Sequence, residues 1–129
     1  IGIKDSTANL YDKIKIENFS IFVGSEIRLL DNLKIGGAGL ISATINVTSS
    51  IAKNVYDSFK KGNDSELNEH LISVRKVFDK YNLISGLHSY KAQEDPCYKN
   101  VIPPLKILND LDTKNLLEEL KKLKFKEAA

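Results

Sequence analysis

The 129-residue chain has no methionine, one cysteine and three prolines. A lone cysteine, Cys97, excludes an intramolecular disulfide framework and favours a reducing, cytoplasmic location. No apolar run is long enough to span a membrane, so we expect no membrane partner. Because a translated chain begins with methionine unless it is processed, and this one opens at Ile1 inside a strand-like run, we expect a further portion upstream.

The chain also has little net charge. Its 19 lysines and arginines are nearly balanced by 17 acidic residues, so the formal net charge is +2. Nucleic-acid binding requires basic side chains clustered on one face, so we expect no nucleic-acid partner. The basic run at 121–126 follows two glutamates and is typical of the polar face of a terminal helix. No cluster of metal ligands, phosphate-binding loop or Ser-His-Asp arrangement is visible, and we predict neither a metal nor a cofactor.

Strands and helices alternate in the first half of the chain. The apolar runs at 1–4, 19–24 and 40–47 have strand length and are rich in β-branched and aromatic residues. The stretches at 9–16 and 25–35 are predicted to be short helices between them. Each strand is almost entirely apolar, which is typical of parallel strands covered on both faces.

The second half is predicted to be helical. Apolar side chains recur at helical spacing, with Ser49 or Ser50 expected to cap the first helix and Asp112 or Thr113 the last. The predicted helices cover 49–62, 64–81 and 84–93, and a final one follows the cap. Pro103 and Pro104 exclude a helix from 100–108, which is expected to be extended.

Three parallel strands with a helical tail do not make a closed fold, since parallel strands need neighbours at both edges. A complete eight-stranded βα barrel takes about 250 residues, roughly twice the length of this chain. The sequence therefore predicts an α/β fold that forms part of such a barrel.

In βα barrels the working residues lie at the carboxyl ends of the strands. The residues at these ends are Lys4; Gly24, Ser25 and Glu26; and Ile41 and Ser42, with Ala43 and Thr44 in the third strand. A partly desolvated lysine there would have a lowered pKa and could attack a carbonyl to form a Schiff base. From spacing alone, a lysine such as Lys4 is more often a solvated or salt-bridged strand end than a nucleophile, and Asp5 is a ready partner. Glu26 could equally be a first-turn acid favoured by the helix dipole, and Gly24 a simple turn residue.

Three segments in order, "GIKDST" at 2–7, "VGSE" at 23–26 and "GGAGLISATINV" at 36–47, resemble the dihydrodipicolinate synthase and N-acetylneuraminate lyase family. The resemblance covers the whole chain and continues through "SYKA" and "PPL". Members of that family are pyruvate-handling class I aldolases built on a (β/α)8 barrel with a C-terminal helical extension. It implies that residues 1–62 are the last three βα units, with strands six to eight, and that 63–129 are the helical extension.

The resemblance also implies roles for the candidate residues. Lys4 would be the Schiff-base lysine that attacks the ketone of pyruvate or of a 2-keto acid. Ser6 matches a position that can touch the substrate hydroxyl. Gly24, Ser25 and Glu26 match the loop after the second strand, which would contact the variable part of the substrate. Ile41 and Ser42 match the third strand, which would form the wall beside the imine.

Departures from the family pattern narrow the substrate. Sialic acid lyases carry a second acid where Ile27 stands, a serine at Ala43 and a bulky apolar residue at Asp5, which argues against a sialic acid substrate. The leading interpretation is a dihydrodipicolinate synthase-like enzyme that condenses pyruvate with aspartate semialdehyde. The alternatives are a 2-keto-3-deoxy-sugar-acid aldolase, an inactive ligand-binding family member and a non-functional fragment.

The family's paired-hydroxyl motif and proton-shuttling tyrosine lie upstream of the lysine, outside these residues. We therefore expect little activity from a pure 129-residue chain. The resemblance further implies a homo-oligomer, either a tetramer or a dimer, for the complete protein.

Overall fold

The computed structural model describes residues 1–7, 9–63 and 65–127. These residues fall into two units, Ile1–Ile72 and Ser73–Ala129. The boundary expected at residue 62 separates the barrel portion from the helical extension of the family fold. That boundary stays a prediction.

Three parallel strands form the sheet of the first unit. They are β1 (Gly2–Asp5), β2 (Ser20–Val23) and β3 (Gly39–Leu40), in the order β1-β2-β3. Lys4 lies opposite Phe22, and Phe22 lies opposite Gly39. The parallel arrangement predicted from the apolar runs is confirmed for these strands.

Helices cover one face of this sheet. A turn of 3-10 helix at Glu26–Arg28 leads into α1 (Leu29–Lys34), and α2 (Ile45–Lys60) follows β3. Side chains from both helices and from the following one build the core, namely Leu29, Leu33, Ala52, Val55 and Leu71, with Leu40 packed against them. Val23 is fully buried whereas Lys4 is exposed, because alternate residues of a strand point to opposite faces.

The helix predicted at 9–16 is wrong. The amides of Lys13 and Ile14 both donate to the carbonyl of Leu10, which closes a single turn that does not continue. Asn18 then adopts a left-handed φ of 56° before β2 begins. A helix of only eight residues does not by itself offset the cost of its nucleation, and the described residues between β1 and β2 form a turn and a loop.

The third strand is shorter than predicted. It ends at Leu40, and the remainder of the run at 40–47 turns into α2, which begins at Ile45 rather than after Ser49 or Ser50. Thr44, Val47 and Thr48 are buried, a spacing that places them on one helical face. Periodicity alone could not separate a buried strand from a buried helix in so short a run.

The second unit is helical, as predicted. α3 (Leu67–Phe78) runs across the boundary between the units and is followed by α4 (Leu83–Lys91), a 3-10 turn at Pro96–Lys99 and α5 (Asp110–Lys122). Asn109, not Asp112 or Thr113, caps α5 by accepting from the Asp112 amide. The core of this unit contains Val74, Phe78, Leu87, Leu116, Leu120 and Phe125.

Candidate functional site

Lys4 lies near the carboxyl end of β1 on the face of the sheet opposite the helices. Its neighbour in register on β2 is Phe22. The next pair along the two strands, Asp5 and Val23, is buried and points to the other face of the sheet. The amine of Lys4 is therefore accessible from the open face. The side chain of Lys4 is exposed in this three-stranded sheet, and the desolvation expected for a lysine inside a closed ring of strands stays a prediction.

Ser6 and Gly24 are brought together two residues beyond the row of Lys4 and Phe22. The amide of Gly24 donates to the carbonyl of Asp5 at 2.8 Å, which extends the β1–β2 ladder past the strand ends. A Cβ atom on Gly24 would come within 2.8 Å of the Ser6 Cα and 3.4 Å of its Oγ. Glycine is thus required here by close backbone approach, and the Ser6 hydroxyl lies over Gly24.

Asp5 does not pair with Lys4, contrary to the alternative drawn from the sequence. Its Oδ1 accepts from the amide and hydroxyl of Thr7 at 3.1 and 2.9 Å. Its Oδ2 accepts from the amides of Leu10 and Tyr11, both at 2.9 Å. These bonds fold the segment after β1, here called the strap (Ser6, Thr7 and residues 9–11), back against the strand end.

We expect Asp5→Asn to lower the free energy of unfolding by about 2–3 kcal/mol at neutral pH, because an amide nitrogen would face two donors. Burial raises the pKa of Asp5, but hydrogen bonds from Leu10, Thr7 and Tyr11 outweigh it, and the net pKa lies below the ordinary value of 3.8. A lowered folded-state pKa gives stability that is present above the unfolded pKa and lost as pH falls through the folded one. The difference between wild type and variant should therefore narrow below about pH 4.

Urea unfolding between pH 3 and 7 measures this difference. Asp12→Asn is the matched control, because Asp12 is exposed in the same loop and its replacement should change stability by less than about 0.5 kcal/mol. A gap between wild type and Asp5→Asn that stays constant down to pH 3 would contradict the assignment of these bonds to an ionised carboxylate.

Glu26 and Ser42 are also brought together, but inside the protein. Glu26 is fully buried, and its Oε2 accepts from the Ser42 hydroxyl at 2.9 Å. The hydroxyl of Thr48 lies 3.4 Å from Oε1, and Ser42 and Thr44 share a hydrogen bond at 3.0 Å. This network joins the segment after β2 to the segment after β3. The direct substrate contact predicted for Glu26 and Ser42 stays a prediction that their burial does not favour.

Ser25 and Ile41 occupy the rim of the same sheet edge. The Ser25 hydroxyl accepts from the amide of Ile27 at 3.4 Å and so caps the 3-10 turn. Ile41 is 46% exposed, and its amide donates to the carbonyl of Val23 at 3.0 Å. Since Ile41 follows β3 as Gly24 follows β2, Ser6, Gly24 and Ile41 lie in one row.

Sequence reasoning missed three contributors to this region. The strap-holding role of Asp5 could have been found, because Asp-Ser-Thr after a strand is typical of a side chain that bonds its own following backbone. The roles of Thr44 and Thr48 carried no local signal, since they depend on the helix that begins at Ile45.

Within the described ranges, no group of three or more histidine, cysteine or acidic side chains is placed to hold a metal ion. Over the same residues, no helix has the length and apolarity needed to cross a membrane.

The fold and this sheet edge define a class of protein: a parallel βα sheet that presents a lysine at the carboxyl end of a strand. The sequence profile described as "Dihydrodipicolinate synthetase family" matches residues 1–122. The chain belongs to that family.

A 4-hydroxy-tetrahydrodipicolinate synthase of Wigglesworthia glossinidia brevipalpis is 33% identical over 113 residues, which is 84% of this chain and 29% of that protein. Dihydrodipicolinate synthase from Aquifex aeolicus superposes on 96% of this chain and 45% of its own, with a TM-score of 0.84 and 23% identity. YagE, a prophage protein of E. coli K12 solved in complex with pyruvate, superposes on 82% of this chain and 37% of its own, with a TM-score of 0.67 and 21% identity. The chain thus spans less than a third of the length of that curated relative and less than half of these solved structures.

Proposed function

We propose that the protein to which this chain belongs is a Schiff-base lyase or synthase acting on pyruvate, with Lys4 as the nucleophile. The observation that carries the proposal is the place of Lys4 in a chain of the dihydrodipicolinate synthetase family. Lys4 lies at the carboxyl end of a parallel strand, on the sheet face opposite α1 and α2. An amine in this position can reach a ligand held in front of the sheet.

The chemistry proposed for Lys4 begins with attack of its unprotonated Nζ on the C2 carbonyl carbon of pyruvate. Loss of water gives an imine, and loss of a C3 proton converts the imine to an enamine. The enamine carbon then forms a bond to the carbonyl carbon of an aldehyde, and water releases the product and frees the lysine. In the cleavage direction the same steps run in reverse.

Pyruvate with aspartate semialdehyde is the proposed substrate pair, because the relative from Wigglesworthia bears the name of the synthase. Ser6, Gly24 and Ile41 would line the approach of the aldehyde, since they form the row next to Lys4 on the same edge. A 2-keto-3-deoxy-sugar-acid aldolase would use the same lysine with a polyhydroxylated aldehyde. Product formation with each aldehyde in turn distinguishes the two.

Intact-mass analysis after incubation with pyruvate and borohydride tests the proposal. Reduction traps the imine, so the protein should gain the mass of one pyruvate less one water plus two hydrogens, and peptide mapping should place it on Lys4. No adduct on the complete protein would overturn the proposal in favour of a ligand-binding role. No adduct on the 129-residue chain alone, with an adduct on a longer chain, would identify this segment as dependent on further residues.

The complete protein is further proposed to be a homo-oligomer, a tetramer or a dimer, located in the reducing cytoplasm. The proposed assembly rests on family membership. The proposed location rests on family membership and on the single cysteine. Light scattering on the purified protein gives the molar mass that tests the assembly.

A further inference from the structure

Asp5 is the residue next to Lys4, yet its side chain lies on the other face of the sheet and is 2% exposed. A buried carboxyl group must have its acceptor positions filled, or it destabilises the fold. Both oxygens are filled here by donors of one short segment, the strap. Every one of these bonds ties the strap to the strand residue that follows the lysine.

The main chain of Asp5 is fixed as well. Its carbonyl accepts from the Gly24 amide at 2.8 Å, so one residue is anchored to β2 through its backbone and to the strap through its side chain. The next residue, Ser6, starts the strap and sits against Gly24 with no room for a Cβ atom between them. The position of Ser6 is thereby set from two directions.

We propose that Asp5 is a positioning residue that sets the reacting geometry at Lys4. It acts by clamping the strap so that Ser6 packs on Gly24 beside the lysine. The inference rests on the proposed function of Lys4 and extends it to a residue that does not touch the substrate.

The clamp matters for chemistry because Lys4 and Ser6 are two residues apart on the same edge of the sheet. If the strap is released, Ser6 leaves Gly24, and the end of β1 loses its side-chain anchor. A displacement on the order of an ångström at a reacting group can cost about a hundredfold in rate. A structural role alone would change only the fraction of folded protein.

Two variants disturb the clamp by different means. Asp5→Asn replaces one acceptor oxygen with a donor nitrogen and removes the charge. Gly24→Ala leaves the Asp5 carboxylate and its charge in place, but its methyl group would lie 2.8 Å from the Ser6 Cα and 3.2 Å from the Asp5 carbonyl oxygen, so backbone atoms at the start of the strap must move. Asp12→Asn is the control, because it makes the same charge change at an exposed position of the same loop.

The experiment uses the complete protein and measures the rate at which borohydride traps pyruvate on Lys4 at saturating pyruvate. The rate is expressed per folded molecule, with folding checked by circular dichroism at the same temperature. We expect Asp5→Asn and Gly24→Ala to slow trapping by at least about tenfold, and Asp12→Asn to match wild type. Trapping at the wild-type rate by both folded variants would refute the clamp and leave the proposed function of Lys4 intact. Absence of any adduct on the complete wild-type protein would overturn both.

Discussion

A Lys4→Arg variant is expected to take no pyruvate adduct on borohydride reduction and to lose at least about 10³-fold in turnover. Arginine keeps the positive charge and a side chain of similar length, but its guanidinium group cannot be deprotonated in a protein and does not form an imine. Lys4 is exposed on the open face of the sheet, so the variant should fold with a stability within about 0.5 kcal/mol of wild type. Adduct mass and product formation are the measurements.

Lys15→Arg provides the matched control for this prediction. Lys15 is an exposed lysine of the β1–β2 loop, and replacing it should leave both adduct yield and turnover unchanged. An adduct that persists in Lys4→Arg would map the Schiff base to another lysine and remove Lys4 from the mechanism. Turnover that persists without any adduct would instead point to a mechanism that does not pass through an imine.

The strands of this fold could be predicted because their signal is local. Runs such as 19–24 are apolar, β-branched and closed by glycine, and they form parallel strands, with Ile21 and Val23 buried in β2. The error at 9–16 shows that helical spacing alone does not make a helix. The amides of Lys13 and Ile14 close one turn on the carbonyl of Leu10, and so short a segment does not offset the cost of helix nucleation. The Asp5 carboxylate accepts from the amides of Leu10 and Tyr11, which holds this turn against the end of β1.

The boundary of β3 shows a second limit of sequence reasoning. The run at 40–47 contains four β-branched residues and reads equally well as a strand or as the first turns of a buried helix. In the structure the segment is helical from Ile45, and the Thr48 hydroxyl bonds the carbonyl of Thr44 one turn back. The contact between Thr48 and the Glu26 carboxyl group joins residues 22 positions apart, so it carries no signal in the local sequence.

The candidate site was predicted as a set of strand ends, and the structure divides that set into two groups. Lys4, Ser6, Gly24 and Ile41 line the accessible edge, in rows fixed by the register of the strands. Glu26 and Ser42 face inward and bond each other. The position of a residue along a strand can be predicted from the sequence. The direction in which a loop side chain points depends on the polar groups with which it forms hydrogen bonds in the packed fold.

Because Glu26 belongs to the inward-facing group, we expect its replacement to change the stability of the fold. We expect Glu26→Ala to lower the free energy of unfolding by about 3–4 kcal/mol, because it opens a cavity in a fully buried position and removes the acceptor for Ser42 and Thr48. Glu26→Gln, which keeps the volume and one carbonyl oxygen, should cost about half as much. Chemical denaturation of the variants beside wild type provides the measurement.

Enzyme kinetics separate this role from the substrate contact implied by the family resemblance. If Glu26 acts only through the network, folded Glu26→Gln should keep the KM for the aldehyde within about twofold of wild type. Ser25→Ala is the matched comparison, since Ser25 precedes Glu26 and lies on the rim, partly accessible to solvent. A rise in KM of tenfold or more in Glu26→Gln at full folding, with unchanged stability, would mean that the carboxyl group turns outward to the substrate, and the buried network would then be a resting arrangement of the site rather than its working one.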